Sequence, residues 1–286
     1  MKTYSSIYQK ELQQFIESAL KEDIGPGDFS ALAALDSEQK GAAQLLVKED
    51  CVLAGVELAK LICTQYDPSL EIEIFIEDGE KVSAGAIAFK VSGTTQSILA
   101  TERLVLNVMQ RMSGIATLTH QNQNLISHTK CKVLDTRKTT PNFRIAEKWA
   151  VVIGGGVNHR MGLYDMIMLK DNHIDYCGGV SATVEKTIDF LKLKQLELPI
   201  IVETRNLNEV KACLDHPEIH RILLDNMTCE QLVEAIQLID GKIPTEASGN
   251  ITKDTIVSIA ETGVDYVSLG SVTHSAPNID LSLKAL

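Results

Sequence analysis

What the chain lacks narrows the field first. No uninterrupted apolar run approaches the ~20 residues that a membrane span requires, and the opening "MKTYSSIYQKELQQF" has no apolar core of the kind a secretory signal carries. A membrane-free, cytoplasmic protein is the expectation. The six cysteines (Cys51, Cys63, Cys131, Cys177, Cys213, Cys229) contain no CxxC pair, which argues against a zinc site and a disulfide framework alike. They are expected to be reduced and mostly buried. Pro/Gly-rich and low-complexity stretches are missing too, so the whole chain is expected to fold. Nor is there an excess of positive charge: with a formal net charge of -11 the chain is poorly suited to general nucleic-acid binding, which takes a basic face.

One local exception stands out. From Arg137 to Lys170 there are six basic residues (Arg137, Lys138, Arg144, Lys148, Arg160, Lys170) against two acids (Glu147, Asp165), a local +4 in an acidic chain. With His159 beside Arg160, this segment is suited to a small, strongly anionic ligand.

The length of 286 residues permits one large domain or two ordinary ones. "YQKELQQFIESALKEDIGPGD" places Leu12, Phe15, Ile16, Ala19 and Leu20 on one helical face, and "GPGD" stops it. "GAAQLLVKEDCVLAG" reads as a strand pair, "VELAKLIC" as a helix, and "LEIEIFIEDGEKVSAGAIAFKVSGT" as alternating strands with Gly turns. Residues 97–126 form a long helix with Leu104, Val108 and Met112 in fourfold steps; periodicity alone puts Arg103 and Arg111 on a solvated edge.

Beyond residue 130 the pattern becomes rhythmic. Short apolar runs end in polar residues: "KVLDTRK", "DMIMLKD", "PIIVET", "RILLDN", "IPTEASG" and "DYVSLGS". Glu203 to Asp225 is 22 residues, Asp225 to Ser248 is 23, and Ser248 to Gly270 is 22, with helical segments between most runs. Strand and helix alternating at this interval imply βα units and a parallel, incomplete barrel of six or seven strands, with the ligand at the strands' carboxyl ends. Those ends carry Arg137, Lys138, Lys170, Glu203, Asp225, Ser248 and Gly270.

Several chemistries fit these residues. Glu203 and Asp225 suit an acid/base pair, a Mg2+ site completed by phosphate oxygens, or salt bridges to the cations. "EASGN" and "LGS" suit a phosphate cradle after the last strands, or plain strand-to-helix turns. Lys138 and Lys170 suit Schiff-base formation or phosphate binding, with Arg137 and Arg160 tipping the balance towards anion clamping. "IGGGVNHRMGLYD" satisfies neither GxxxxGK[ST] nor GxGxxG, so its glycines read as a flexible or positive-φ mount that carries His159 and Arg160 towards the ligand.

"TERLVLNVMQRMSGIAT", "DTRKTTPNFRIAEKWAVVIGGGVNHRMGLYDMIMLKDNHI", "EASGNI", "SLGSVTHSAPNIDLSL" and "EDIGPGDFS" closely resemble the quinolinate phosphoribosyltransferase family, over nearly the full chain. The resemblance implies an α/β class protein: an N-terminal α/β sandwich (1–109, with the tail 275–286 returning to it) and an open, incomplete α/β barrel (110–274). It implies phosphoribosyl transfer from phosphoribosyl pyrophosphate to quinolinate with loss of CO2, Mg2+ as cofactor, and a homodimer. By resemblance, Arg103 of the partner subunit, Arg137, His159 and Arg160 bind the quinolinate carboxylates, with Lys170 nearby. Lys138 and Lys170 flank the phosphoribosyl donor, with Thr139 adjoining. Glu203 and Asp225 hold Mg2+ and the ribose hydroxyls, and Ser248, Gly249, Asn250, Gly270 and Ser271 embrace the 5'-phosphate. The catalytic group is then Lys138, Lys170, Glu203 and Asp225. Many members have a second Gly at the position of Asn250. The rival readings are a molybdenum-transport-associated paralogue, a Schiff-base lyase using Lys170, and a lipoyl-type carrier suggested by Lys90 in "DGEKVSAGAIAFKVSG".

Overall fold

The computed structural model describes residues 3–286. Its first half runs α1 (Tyr4–Ile7), α2 (Gln9–Ile24), α3 (Phe29–Ala34), β1 (Lys40–Val47), β2 (Cys51–Val52), α4 (Val56–Tyr66), β3 (Glu71–Ile74), β4 (Lys81–Val82), β5 (Ile87–Thr94) and α5 (Thr95–Leu125). The second runs β6 (Lys132–Leu134), α6 (Arg144–Ile153), β7 (Ile167–Leu169), α7 (Asp171–Cys177), α8 (Val180–Lys194), β8 (Ile200–Thr204), α9 (Leu207–Cys213), β9 (Ile219–Asp225), α10 (Cys229–Ile239), β10 (Thr245–Ser248), α11 (Ile256–Glu261), β11 (Tyr266–Ser268), α12 (Ser271–His274) and β12 (Leu281–Ala285). The chain divides into two compact units. One runs to His120 and adds Lys138–Gly155 and Ser271–Leu286; the other joins Gln121–Arg137 to Gly156–Gly270. The units interleave along the sequence, where the resemblance implies 1–109 with the tail 275–286 and 110–274.

The first unit is built on an antiparallel sheet of order β12-β1-β5-β3. β1 buries Ala43, Leu45 and Val47 on one face, the alternation expected of a half-covered strand. Lys90 lies within β5, paired with Gln44 and Glu73, as an ordinary strand residue. The expected β1–β2 pair does not form. β5 and β12 occupy both edges of β1, so β2 pairs instead with β4 in a separate two-stranded sheet. The competing partner β12 arrives from more than 200 residues away in sequence, beyond the reach of local pattern.

Helix α2 buries Leu12 and Ile16 and ends at Gly25, whose φ of 54° lets its N–H reach the Lys21 carbonyl. α4 begins at Gly55 (φ 96°), and the Asp78 carboxylate caps it by accepting from the N–H groups of Val56 (2.8 Å) and Glu57 (3.1 Å). α5 has 31 residues. Val105, Val108, Met109, Met112, Ile115 and Ala116 along it are buried. Its hydroxyls also serve the neighbouring backbone: Ser113 Oγ accepts from Ala54 N (3.0 Å) and Thr117 Oγ1 from Val52 N (2.9 Å).

The second unit holds six parallel strands in the order β6-β11-β10-β9-β8-β7, with β6 and β7 unpaired to each other. This is the open, incomplete form expected from the rhythm. β8 is buried at every residue from Ile200 to Thr204, as a strand covered on both faces must be. Capping residues end the βα loops at defined points. Asn206 accepts from Asn208 N and Glu209 N (both 3.0 Å), and Thr228 with Gln231 forms a reciprocal capping box. Each loop is therefore short and its strand end fixed.

The triple glycine divides its labour. Gly154 has an ordinary φ of -72° and closes α6 against α5. A Cβ there would lie 2.5 Å from the Ala116 carbonyl oxygen and 2.8 Å from Thr119 Cβ. Gly155 carries the positive φ, 90°. Gly154→Ala is expected to destabilise the protein by about 1–3 kcal/mol through overpacking, measured by urea unfolding; wild-type stability would mean that the α5–α6 contact gives way freely.

Candidate active site

In the second unit the parallel register assembles the strand ends. Leu169 pairs with Val202, so Lys170, one residue on, stands beside Glu203, and its Nζ lies 3.2 Å from Glu203 Oε2. Lys170 is exposed and Glu203 buried. Asp225 pairs directly with Ser248, two residues nearer the carboxyl edge than the Glu203–Leu223–Glu246 level. Lys170, Glu203, Asp225 and Ser248 thus share one face.

Asn226, which the motifs did not single out, ties two of these ends together. Its N–H donates to the Ser248 carbonyl (2.8 Å), its Nδ2 to Asp225 Oδ2 (2.7 Å), and its Oδ1 accepts from Asn250 Nδ2 (3.2 Å). Gly249 (φ 100°) and Asn250 (φ 51°) are both left-handed, and a Cβ on Gly249 would overlap the Asn226 amide. Glycine is required there for conformation and for space. The one sequence signal for Asn226 is its place just past an apolar strand.

The stretch after the glycines is a third edge. Val157 bridges Leu134 in parallel: its N–H donates to Val133 O (2.8 Å), and Asp135 N donates to Val157 O (3.3 Å). Buried Asp135 then receives Asn158 Nδ2 (2.6 Å) and His159 N (2.8 Å). Far from flexible, the segment is pinned to β6. Arg160 follows, also buried, donating from Nη1 to Met166 O (3.3 Å). Burial holds its guanidinium below the ordinary value, and the charge of Arg137 pushes the same way against Asp165.

His159 faces inward. Its Nδ1 accepts from Arg160 N (2.6 Å), and its Nε2 lies 3.4 Å from Glu246 Oε2. Glu246 is fully buried and also receives Arg221 Nη1 (2.9 Å) and the Ser268 hydroxyl. Arg221 in turn stacks on Tyr266, 4.2 Å from the ring centroid. Burial pushes the Glu246 carboxyl up, but His159, Ser268 and Arg221 together outweigh it and leave it below the ordinary carboxyl range. Asp135, Glu246, Arg221 and Ser268 escape sequence reasoning, since the partners of each lie on other segments of the chain.

Arg103, Lys138, Thr139 and Ser271 belong to the first unit. Arg103 is exposed on α5 at a cleft of about 500 Å3 that includes Asp28, Leu35, Leu99 and Glu102, and no described residue pairs with its guanidinium. Lys138 is exposed, and its carbonyl accepts from Thr273 Oγ1 (3.0 Å), within α12 and two residues after Ser271. Thr139 Oγ1 accepts from Arg144 Nε (2.8 Å). Arg111, expected on a solvated edge, is instead mostly buried and paired with Glu147 (2.9 Å). A glutamate 36 residues away gave no hint of that partnership. Gly270 ends the second unit after β11.

Among the described residues no group of three or more His, Cys, Asp or Glu could hold a metal ion. Four of the six thiols are buried, and burial pushes Cys51 and Cys63 up to about 11 and Cys131 and Cys213 up to about 12. These four are inert at neutral pH.

Two family models match the chain: "Quinolinate phosphoribosyl transferase, N-terminal domain" over residues 28–113 and "Quinolinate phosphoribosyl transferase, C-terminal domain" over 115–284. A chloroplastic nicotinate-nucleotide pyrophosphorylase [carboxylating] of Oryza sativa subsp. japonica is 46% identical, covering 96% of this chain and 77% of the relative. A mitochondrial quinolinate phosphoribosyltransferase [decarboxylating] of Nicotiana tabacum is 44% identical, covering 96% and 82%. Among solved structures, the nicotinate-nucleotide pyrophosphorylase from Francisella tularensis superposes over the whole of both chains with a TM-score of 0.90 at 37% identity.

The buried charge cluster yields a stability test. Glu246→Ala, which strands Arg221, is expected to cost about 3–5 kcal/mol in urea unfolding. The lowered carboxyl value means that its contribution is complete above 4.5 and lost as pH falls through the lower folded value. Wild type should therefore lose this increment in acid while Glu246→Gln does not. Parallel acid limbs in the two proteins would refute the assignment.

Proposed function

The chain belongs to the quinolinate phosphoribosyltransferase family and carries out that family's decarboxylating pentosyl transfer in de novo NAD biosynthesis, and we propose that its residues divide the work between a dicarboxylate clamp and a phosphoribosyl cradle. Quinolinate and phosphoribosyl pyrophosphate give nicotinate mononucleotide, pyrophosphate and CO2. The observation that carries the clamp is the crowding of Arg137 on buried Arg160. Arg160 is buried and the like charge of Arg137 adds to that cost, which an anion with two carboxylates relieves; arginine's planar fork is suited to it. Lys170 adds a third cation to the clamp. His159 supports it from behind, its ring nitrogens directed at Arg160 N and Glu246.

In the second unit Ser248, Gly249, Asn250 and Gly270 are assigned to the 5'-phosphate; in the first, Ser271 is assigned to the same group and Lys138 and Thr139 to the diphosphate. Gly249 and Asn250, both at positive φ, form a tight turn of small residues after the strand end, where the chain leaves room for a phosphate. Glu203 and Asp225 take the ribose hydroxyls. Their chemistry also fits Mg2+, which accepts one or two carboxylates and fills the rest of its octahedron with phosphate oxygens and water. When bound there, it would offset the charge of the diphosphate.

With both substrates clamped, the pyridine nitrogen meets ribose C1. The N–C1 bond forms as the C1–O bond to pyrophosphate breaks, and the bond electrons leave with pyrophosphate. Alignment supplies much of the acceleration, and the Glu203 and Asp225 carboxylates favour the positive charge that develops on the ribose. The nitrogen is then quaternary. Loss of CO2 from the adjacent carbon leaves an electron pair next to that positive charge, flanked by the basic clamp, and a proton completes the product. No covalent bond to the enzyme is needed. Lys170 is paired with the Glu203 carboxylate, which suits it to clamping an anion rather than to Schiff-base chemistry.

Exposed Arg103 without a described partner supports its donation to the site of a second subunit in a homodimer. For the cellular setting, no helix among the described residues is long and apolar enough to cross a membrane, and cytoplasm is the proposed location, although plant relatives are named chloroplastic and mitochondrial. Purified protein is expected to release CO2 and pyrophosphate from quinolinate, phosphoribosyl pyrophosphate and Mg2+; no turnover refutes the reading. Arg103→Ala should lose quinolinate binding, whereas an equal mixture of Arg103→Ala and Lys138→Ala subunits should recover about one quarter of wild-type activity, because half the dimers rebuild one of two sites. Failure to complement would place Arg103's action within its own subunit.

A further inference from the structure

The first unit contains one charged group in contact with all three of its chain segments. Arg111 on α5 donates from Nε to Glu147 Oε1 (2.9 Å), from Nη1 to Ala276 O (2.7 Å), and from Nη2 to Thr273 O. The Arg111 side chain is 19% exposed and that of Glu147 is 0% exposed. Glu147 uses its remaining capacity on Thr140: Oε2 accepts from Thr140 N and Oε1 from Thr140 Oγ1, both at 2.9 Å. Thr273, whose carbonyl Arg111 holds, donates its own hydroxyl to the carbonyl of Lys138 (3.0 Å). One guanidinium therefore controls both ends of the tripeptide Lys138-Thr139-Thr140.

The loop needs such control. It continues into Pro141, which has no N–H to donate, and Asn142, held at a left-handed φ of 62°. The Phe143 N–H closes the turn on Thr140 O (3.2 Å). Buried ion pairs stabilise a fold little more than apolar groups of the same volume would. What Arg111 and Glu147 supply that apolar packing could not is a set of directional bonds ending on Lys138 and Thr140.

We propose that Arg111, Glu147 and Thr273 are positioning residues for the phosphoribosyl donor: they touch no substrate and act by fixing the Lys138–Thr140 backbone, which sets where the Lys138 ammonium meets the diphosphate. This rests on the assignment of Lys138 to that donor. Of the quinolinate clamp, His159, Arg160 and Lys170 stand on other segments and Arg137 adjoins Lys138, so the effect falls mainly on the donor.

Steady-state kinetics of Glu147→Gln, Thr273→Val and Lys138→Ala, each with both substrates varied, test it. Thr273→Val keeps size and shape and removes only the hydroxyl tie, so it remains informative if Glu147→Gln or Arg111→Lys folds poorly. Expected for Glu147→Gln and Thr273→Val is a KM for phosphoribosyl pyrophosphate raised about tenfold, the equivalent of one lost hydrogen bond to a charged group, with the KM for quinolinate within about twofold of wild type. If Lys138→Ala raises the donor KM and these two variants leave it unchanged, the positioning role is overturned and the Lys138 assignment stands. Parallel changes in both KM values, or a fall in kcat alone that tracks lost stability, also overturn it. An unchanged donor KM in Lys138→Ala overturns both.

Discussion

Main-chain hydrogen bonding between parallel strands fixes the level of every residue along its neighbour, and the site in the second unit depends on that before any side chain acts. The Leu169–Val202 pair brings Lys170 alongside Glu203, and the ladder between β9 and β10 puts Asp225 against Ser248. A slip of one residue in either ladder would turn these groups to the opposite face. Buried β8 and the capped loops after it make such a slip expensive, because they leave neither strand length nor loop slack to absorb it.

Buried charge supplies a second layer of order. Glu246 gathers Arg221, His159 and Ser268; Asp135 gathers Asn158 and the main chain of His159. His159 is consequently held through its backbone by one carboxylate and at its ring by another. The adjoining Arg160 inherits a fixed starting point, and a long flexible side chain becomes a directed one. In the first unit Arg111 and Glu147 impose the same kind of order on a loop rather than on a strand edge. Both arrangements use groups whose desolvation is costly unless every partner is present, so each has a narrow set of permitted geometries.

How much could be read in advance follows the distance over which each feature is determined. All six strands of the second unit announce themselves as short runs closed by polar residues, the last four at a regular interval. Helix α5 shows in its fourfold spacing, and the strand-end residues Lys170, Glu203, Asp225 and Ser248 fall where the rhythm puts them. The β1–β2 pair fails because β12 competes from the far end of the chain. Arg111 looks solvated because the helix pattern does not reveal that Glu147 and two carbonyls near residue 275 surround it. The three consecutive glycines look alike in sequence yet differ in space: Gly154 is small for packing, Gly155 bends the chain, and pinned Val157 ends any mobility soon after.

Strand β12, residues Leu281–Ala285, hydrogen-bonds along the outer edge of β1, whose own residues are 40–47. On a ribosome the two are separated by more than 230 codons of translation. The second unit has all of its strands once Ser268 has emerged, whereas the sheet formed earliest in sequence must wait with one edge open. At an elongation rate of about 5–20 residues per second, that edge is bare for on the order of ten seconds or more in every nascent chain. A strand edge in that condition invites other chains, so the place of β12 in the chain decides how long the first sheet stays open to edge-to-edge pairing.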